Sequence, residues 1–99
     1  MAHRVTKVFT RPSRDVYFFN GYTADNQSLV NTYRSAGKLV SDSSVFSDDM
    51  LQLTTIHTWS SQAAYDEFRA QPAAAAVFAA RDSHNSAHGI TCTITTATV

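Results

Sequence analysis

Along "RVTKVFT", Arg4 to Thr10, apolar and polar side chains alternate and β-branched residues recur. A period of two marks a strand with one buried face. Pro12, which has no ladder donor, stops it. "DVYFF" (Asp15 to Phe19) is apolar without a period and fits either a strand resumed after a bulge or a first helical turn; Gly21 breaks it. In "TADNQSLVNTYRSAG" the period lengthens: Leu29, Tyr33 and Ala36 fall at i, i+4 and i+7, with Val30 beside them, which predicts an amphipathic helix. Thr23 or Asp25 suits its N-cap, and Gly37 its C′ position. "KLVSDSSVF" (Lys38 to Phe46) predicts a weak strand, "SDD" (Ser47 to Asp49) a turn, and "MLQLTTIHTW" (Met50 to Trp59) the strongest strand of the chain, together a hairpin. Ser60 or Ser61 caps a second helix with Ala64, Tyr65 and Phe68 on one side. Pro72 suits a first helical position, so the helical pattern resumes after a bend near Gln71 and stops at Gly89. "ITCTITTATV" (Ile90 to Val99) is the last strand.

The order strand, helix, strand, strand, helix, strand predicts an α+β fold, ferredoxin-like βαββαβ, with an antiparallel sheet and its helices on one face. Residues 1–99 are expected to form a single domain, since a chain of this length has room for one core.

Alternation also sorts the sheet into two faces. Val5 and Phe9, Leu51 and Leu53, and Ile90, Cys92 and Ile94 form the expected core against Leu29, Tyr33, Ala64, Phe68 and Phe78. Thr6, Val8, Thr10, Gln52, Thr54, Ile56, Thr58, Thr91, Thr93 and Thr95 form the other face. Open antiparallel faces usually carry lysine and glutamate. This one carries almost none, so a second copy is expected to cover it, giving a homodimer through the sheet with a semi-polar cavity between the two sheets. A solvated face in a monomer is the alternative. Everything depends on register. His57 and Trp59 share parity with Leu51 and Leu53, and a one-residue slip, or a bulge before Trp59, moves them to the opposite side.

Charge narrows the partners. Eight basic and eight acidic side chains cancel, which disfavours grip on a phosphate backbone, so no nucleic acid is expected. No apolar run reaches signal-peptide or membrane-span length, so no membrane partner is expected and the chain reads as soluble and cytoplasmic. Cys92 is the one cysteine, cannot form an internal disulfide, and reads as a packing residue within its strand.

The segment "LQLTTIHTWSSQAAYDEFRAQP", residues 51–72, resembles the strand–Trp–Ser–helix segment of antibiotic biosynthesis monooxygenase-like (ABM-like) proteins, members of the dimeric α+β barrel superfamily. The resemblance implies a homodimer enclosing a barrel. It also implies a small hydrophobic, aromatic or polyketide-like ligand, and cofactor-independent oxygenation as the candidate chemistry. Haem-degrading members of the superfamily use an Asn on the first strand and a Trp and an iron-binding His on the second long helix. Here the first strand has no Asn, and Phe68 and Phe78 fall where that Trp and His would stand. No cofactor is therefore expected.

His57 is the candidate catalytic base, since a histidine exchanges protons near neutral pH and cofactor-free oxidation needs a substrate anion. Trp59 and Tyr65 are the candidate pocket walls. Arg11 and Arg14 are candidates for gripping a substrate carboxylate at the barrel mouth. Each also has a purely structural reading: hydrogen-bonded histidine, core aromatic, surface arginine. His84 and His88 have i, i+4 spacing, but "HNSAH" is rich in turn formers and lacks a completed ligand set, so no metal is expected. His3 lies in the terminal arm. A non-catalytic homodimer, structural or ligand-sensing, stands beside the enzyme reading.

Overall fold

The computed structural model describes residues 1–99. Its elements run β1 (His3–Thr10), α1 (Ala24–Ser35), β2 (Leu39–Phe46), β3 (Gln52–Trp59), α2 (Gln62–Ala70), α3 (Pro72–His88) and β4 (Thr91–Thr98). The four strands form one antiparallel sheet in the order β2-β3-β1-β4. This is the α+β, ferredoxin-like arrangement that the alternating patterns predict. The apolar segment 15–19 belongs to neither a strand nor a helix; it lies in an irregular connection from β1 to α1.

Local chemistry explains the element ends. The Asn26 amide donates to Thr23 Oγ1 at 3.1 Å, so Thr23 rather than Asp25 caps α1. Gly37 follows α1 at φ 75°, a conformation that costs glycine little. The Ala64 amide donates to Ser61 Oγ at 3.1 Å, which selects Ser61 as the α2 cap. Gln71 is extended at ψ 137°, so the helical run breaks there and Pro72 opens α3. α3 continues through "HNSAH" to His88, beyond the point where that turn-rich composition suggests fraying, and Gly89 ends it at φ 69°.

Register puts Val5 opposite His57, Lys7 opposite Thr55, Phe9 opposite Leu53 and His3 opposite Trp59. His57 and Trp59 thus keep the parity of Leu53 on the helix-covered face. The one irregularity lies between Leu39 and Ser41 in β2, opposite Trp59 and Thr58; the extra residue is on β2, so the parity of β3 is unchanged. The core joins Val5, Tyr33, Leu39, Trp59, Tyr65, Phe68 and Ala74, with Leu29, Val30 and Phe78 against it. Burial of a large apolar side chain contributes about 1.5–3 kcal/mol.

Two core assignments change. Cys92 and Ile94 share the inner face with Phe9 and Lys7, yet both are exposed, Ile94 by 50%. β4 is an edge strand, and the helices pack chiefly on β2 and β3. Correct parity therefore does not bury them. Cys92 is not a packing residue; the burial it does have raises its thiol pKa, so it is no ready thiolate either. His3 is not a loose arm: it opens β1, is buried, and its ring centroid lies 5.7 Å from that of Tyr65.

Candidate functional site

Between the sheet and the helices lies a cavity of about 130 Å³. β1 contributes Lys7 from its floor, β3 contributes His57 and Trp59, α1 contributes Asn26, α2 contributes Tyr65, and α3 contributes Phe78. This corrects the expected location: the cavity around His57 lies inside one chain, on the helix side, not between two sheets.

Trp59 is 2% exposed. Its ring centroid lies 4.9 Å from Phe68 and 5.4 Å from Tyr65, and Tyr33 meets it edge-on at 6.3 Å. Aromatic packing holds the indole from several sides. Its Nε1–H is nonetheless buried with no acceptor. Asn26 Oδ1 is buried with no donor. Unpaired buried polar atoms are rare and each costs about 1–3 kcal/mol. The two residues that carry these atoms, Trp59 and Asn26, both line the same small cavity.

His57 stacks near-parallel to Trp59, with 6.4 Å between ring centroids and 20° between planes. Its pKa is lowered, first by burial and then by the nearby Lys7 charge. A neutral imidazole can accept a proton. Lys7 is more unusual. It is 8% exposed, and its pKa falls to about 8, chiefly through burial, with Arg81 and Arg69 pushing the same way. None of the three ion pairs in the chain includes it. Its Nζ instead lies 4.5 Å from the Phe78 ring centroid.

His57, Trp59 and Tyr65 are thus brought together, as the sequence suggests. Arg11 and Arg14 are not among the cavity's lining residues. The Arg11 guanidinium donates from Nε to the Met50 carbonyl at 2.8 Å, from Nη2 to the same carbonyl, and from Nη1 to the Val16 carbonyl at 3.0 Å. It also covers the Phe18 ring at 4.7 Å. The fork expected to hold a substrate carboxylate is engaged with the backbone. Arg14 Nε donates to the Asp49 carbonyl at 3.1 Å. Both pin the β2–β3 turn, where Met50 adopts φ 63°. His84 and His88 do meet, at 4.4 Å between ring centroids, but His84 Nε2 is 3.0 Å from the Tyr17 carbonyl and no third ligand type joins them.

Two residues of the site, Lys7 and Asn26, are not among the candidates that the sequence offers. Lys7 does leave a signal there, because it shares parity with Val5 and Phe9, and a lysine on an apolar stripe is unusual. Asn26 leaves none, because an asparagine in the first turn of a helix is unremarkable in sequence.

No protein-family model matches the chain, and no curated protein matches it in sequence. Solved structures do. A cofactor-independent oxygenase of Streptomyces nogalater, SnoaB, superposes with a TM-score of 0.62 at 16% identity, over 99% of this chain and 92% of that one. A structure described as an antibiotic biosynthesis monooxygenase gives 0.61 at 15% identity, over 100% and 98%. A dimeric ferredoxin-like protein from an uncultured marine organism gives 0.61 at 7% identity, over 99% and 94%. At these identities the likeness is one of fold. The resemblance carried by residues 51–72 therefore extends along the whole chain at the level of backbone architecture, and the protein has the fold of the ABM-like proteins.

Proposed function

We propose that this chain is an ABM-like small-molecule-binding protein whose ligand occupies the cavity under Trp59, and that its chemistry is cofactor-independent monooxygenation of an aromatic substrate. The observation that carries this is a cavity that brings His57, Trp59 and Tyr65 together, two of whose lining residues, Trp59 and Asn26, hold a buried side-chain polar atom without a partner. A small adjustment of either side chain on binding lets a ligand with one acceptor and one donor satisfy both. His57, held neutral by burial, is the base. It takes a proton from an acidic carbon–hydrogen bond of the substrate, and the resulting carbanion supplies electrons to dioxygen. One oxygen atom stays on carbon as a ketone and the other leaves as water, so a CH2 group and one O2 balance a C=O group and one H2O with no external reductant. Trp59 and Tyr65 hold the ring.

The volume supports a single-ring ligand. An apolar protein cavity of about 150 Å³ takes up benzene. A multi-ring polyketide needs the helices to move apart. The same small volume is the one observation favouring the second reading, a non-catalytic ligand-sensing protein.

A homodimer belongs to the same proposal. Among the outward positions of the sheet, which include Ser41, Ser43 and Val45 of β2 besides the threonine-rich set, Arg4 carries the only charge. A second copy covers that face.

Trp59 is the chain's only tryptophan, so its emission reports directly on the cavity. Titration with phenol is expected to change Trp59 emission saturably. Dioxygen consumption with an aromatic substrate bearing an acidic CH2 is expected to fall by about 10²–10⁴ in His57→Gln. Unchanged turnover in that variant removes His57 as base; no saturable emission change removes the ligand site.

A further inference from the structure

We propose that Lys7 is a nucleophilic amine and that the cavity captures small aldehydes and ketones by forming an imine with it. The inference rests on the reading that the cavity admits a small molecule, but not on oxygen chemistry. It starts from an anomaly. A lysine 8% exposed normally has a carboxylate partner; Lys7 has none, and after burial its largest influence is the like charge of Arg81, which Arg69 joins and which Cys92 and Asp82 partly oppose. Arg81 also shares the Phe78 ring with Lys7, with its guanidinium carbon 5.0 Å from the centroid against 4.5 Å for Lys7 Nζ. Arg81 in turn pairs with Asp82 at 3.2 Å, so that carboxylate is engaged. Burial beside other cations is the arrangement that turns a lysine into a nucleophile, because it favours the neutral amine with its free electron pair. The direction of the Lys7 shift agrees.

The surroundings suit the rest of the step. His57 lies diagonal to Lys7 across β1 and β3, within reach of long side chains, and the ammonium gives its proton to the buffer before the attack. The Trp59 indole, whose N–H has no partner, lines the same cavity. The amine nitrogen attacks the carbonyl carbon to give a carbinolamine. The carbonyl oxygen then leaves as water, taking both protons of the neutral amine, and the C=N bond replaces C=O. No oxidant or reductant is consumed. The ligand class is a carbonyl compound of about one ring or less, set by the 130 Å³ volume.

The chain has only two lysines, Lys7 and Lys38, which makes the test direct. Lys38 is bound to Glu67 at 3.0 Å and provides the internal reference. The protein is treated with benzaldehyde and cyanoborohydride at neutral pH, and the reduced adducts are mapped by peptide mass. Lys7 is expected to be labelled at least about tenfold faster than Lys38, in keeping with its larger neutral fraction. Phenol is expected to slow labelling at Lys7 but not at the N-terminal amine. Lys7→Arg, which keeps the charge but removes the primary amine, is expected to abolish the fast adduct while labelling of Lys38 and of the N-terminal amine stays unchanged. Equal or slower labelling of Lys7 relative to Lys38 overturns the inference. If phenol binds while Lys7 stays unlabelled, only the imine chemistry fails; if phenol does not bind and Lys7 stays unlabelled, the cavity reading fails too.

Discussion

Lys7 Nζ sits 4.5 Å above the Phe78 ring, with no acidic side chain paired to it. A charged amine so placed gives up hydration that the ring only partly restores. The fold therefore carries a strain term in the floor of its cavity, as functional sites often do.

Removing that charge is expected to stabilise the protein. Lys7→Met keeps the unbranched shape and fills the same space with a thioether. A pKa of about 8 folded, against 10.5 for the ordinary group, corresponds to a penalty on the order of 3 kcal/mol at neutral pH. Chemical denaturation is expected to show Lys7→Met more stable by about 1–3 kcal/mol, with lost amine reactivity. A variant less stable than wild type contradicts the burial of an unpaired charge.

The pH dependence follows the same linkage. Between pH about 8 and about 10 the unfolded chain holds the Lys7 proton and the folded chain has begun to release it, so stability rises with pH across that window. Tyr33 and Tyr65, both raised mainly by burial, act in the opposite direction above pH about 10, which bounds the measurement. At the acid end His57, depressed by burial, resists protonation in the folded state, so its contribution is present above pH about 6.5 and is lost as pH falls toward the lower folded value. Urea midpoints measured across pH in wild type and Lys7→Met separate the two: the alkaline rise is expected to vanish in the variant and the acid fall to remain.

Asn26→Leu is the complementary experiment on the cavity roof. It removes a buried acceptor that has no donor and fills space with carbon. The expected outcome is a stability gain of about 1–2 kcal/mol with phenol affinity weakened by about tenfold or more. Calorimetric titration together with thermal melting reads both. Loss of stability with affinity intact means that Asn26 serves the fold rather than the ligand.

Arg11→Lys distinguishes anchoring from ligand binding. Lysine cannot reproduce three donations to two carbonyls from one planar group. The variant is expected to lose about 1–3 kcal/mol of stability and to keep phenol and benzoate affinities within about twofold. A selective loss of benzoate binding restores the carboxylate-clamp role suggested by sequence.

Ile56→Glu tests the sheet face. Ile56 faces outward between Thr6 and Ser43, on a surface with a single charge. A glutamate there is buried unpaired in a sheet-to-sheet dimer but solvated in a monomer. Light scattering is expected to report a dimer for wild type and a monomer for the variant, with the circular dichroism unchanged. A monomeric wild type in dilute solution removes the dimer and leaves the intrachain cavity in place.

The fold was legible because its strands alternate cleanly. "RVTKVFT" and "LTTIHTW" each fix a parity, and the antiparallel pairing of Val5 with His57 is one of the registers in which those parities agree. Capping residues and glycines then marked the element ends to within a residue or two. Segment 15–19 was illegible because apolar content without a period specifies no geometry, and its Phe18 and Phe19 are partly buried only by meeting other parts of the chain.

The site was legible only where chemistry lay on a strand. Parity by itself put His57 with Trp59 on one side of β3 and Lys7 with Val5 on one side of β1; the register of the two strands made these one face. Parity could not determine how far the helices extend over that face, because burial depends on where α1, α2 and α3 sit in space. Tertiary packing alone decided that Lys7 is enclosed while Ile94 and Cys92, on the same face one strand away, are open, and that Asn26 and Trp59 line one cavity. A periodic pattern encodes direction along one element; desolvation, and the reactivity that follows from it, arises only when several elements close around the same point.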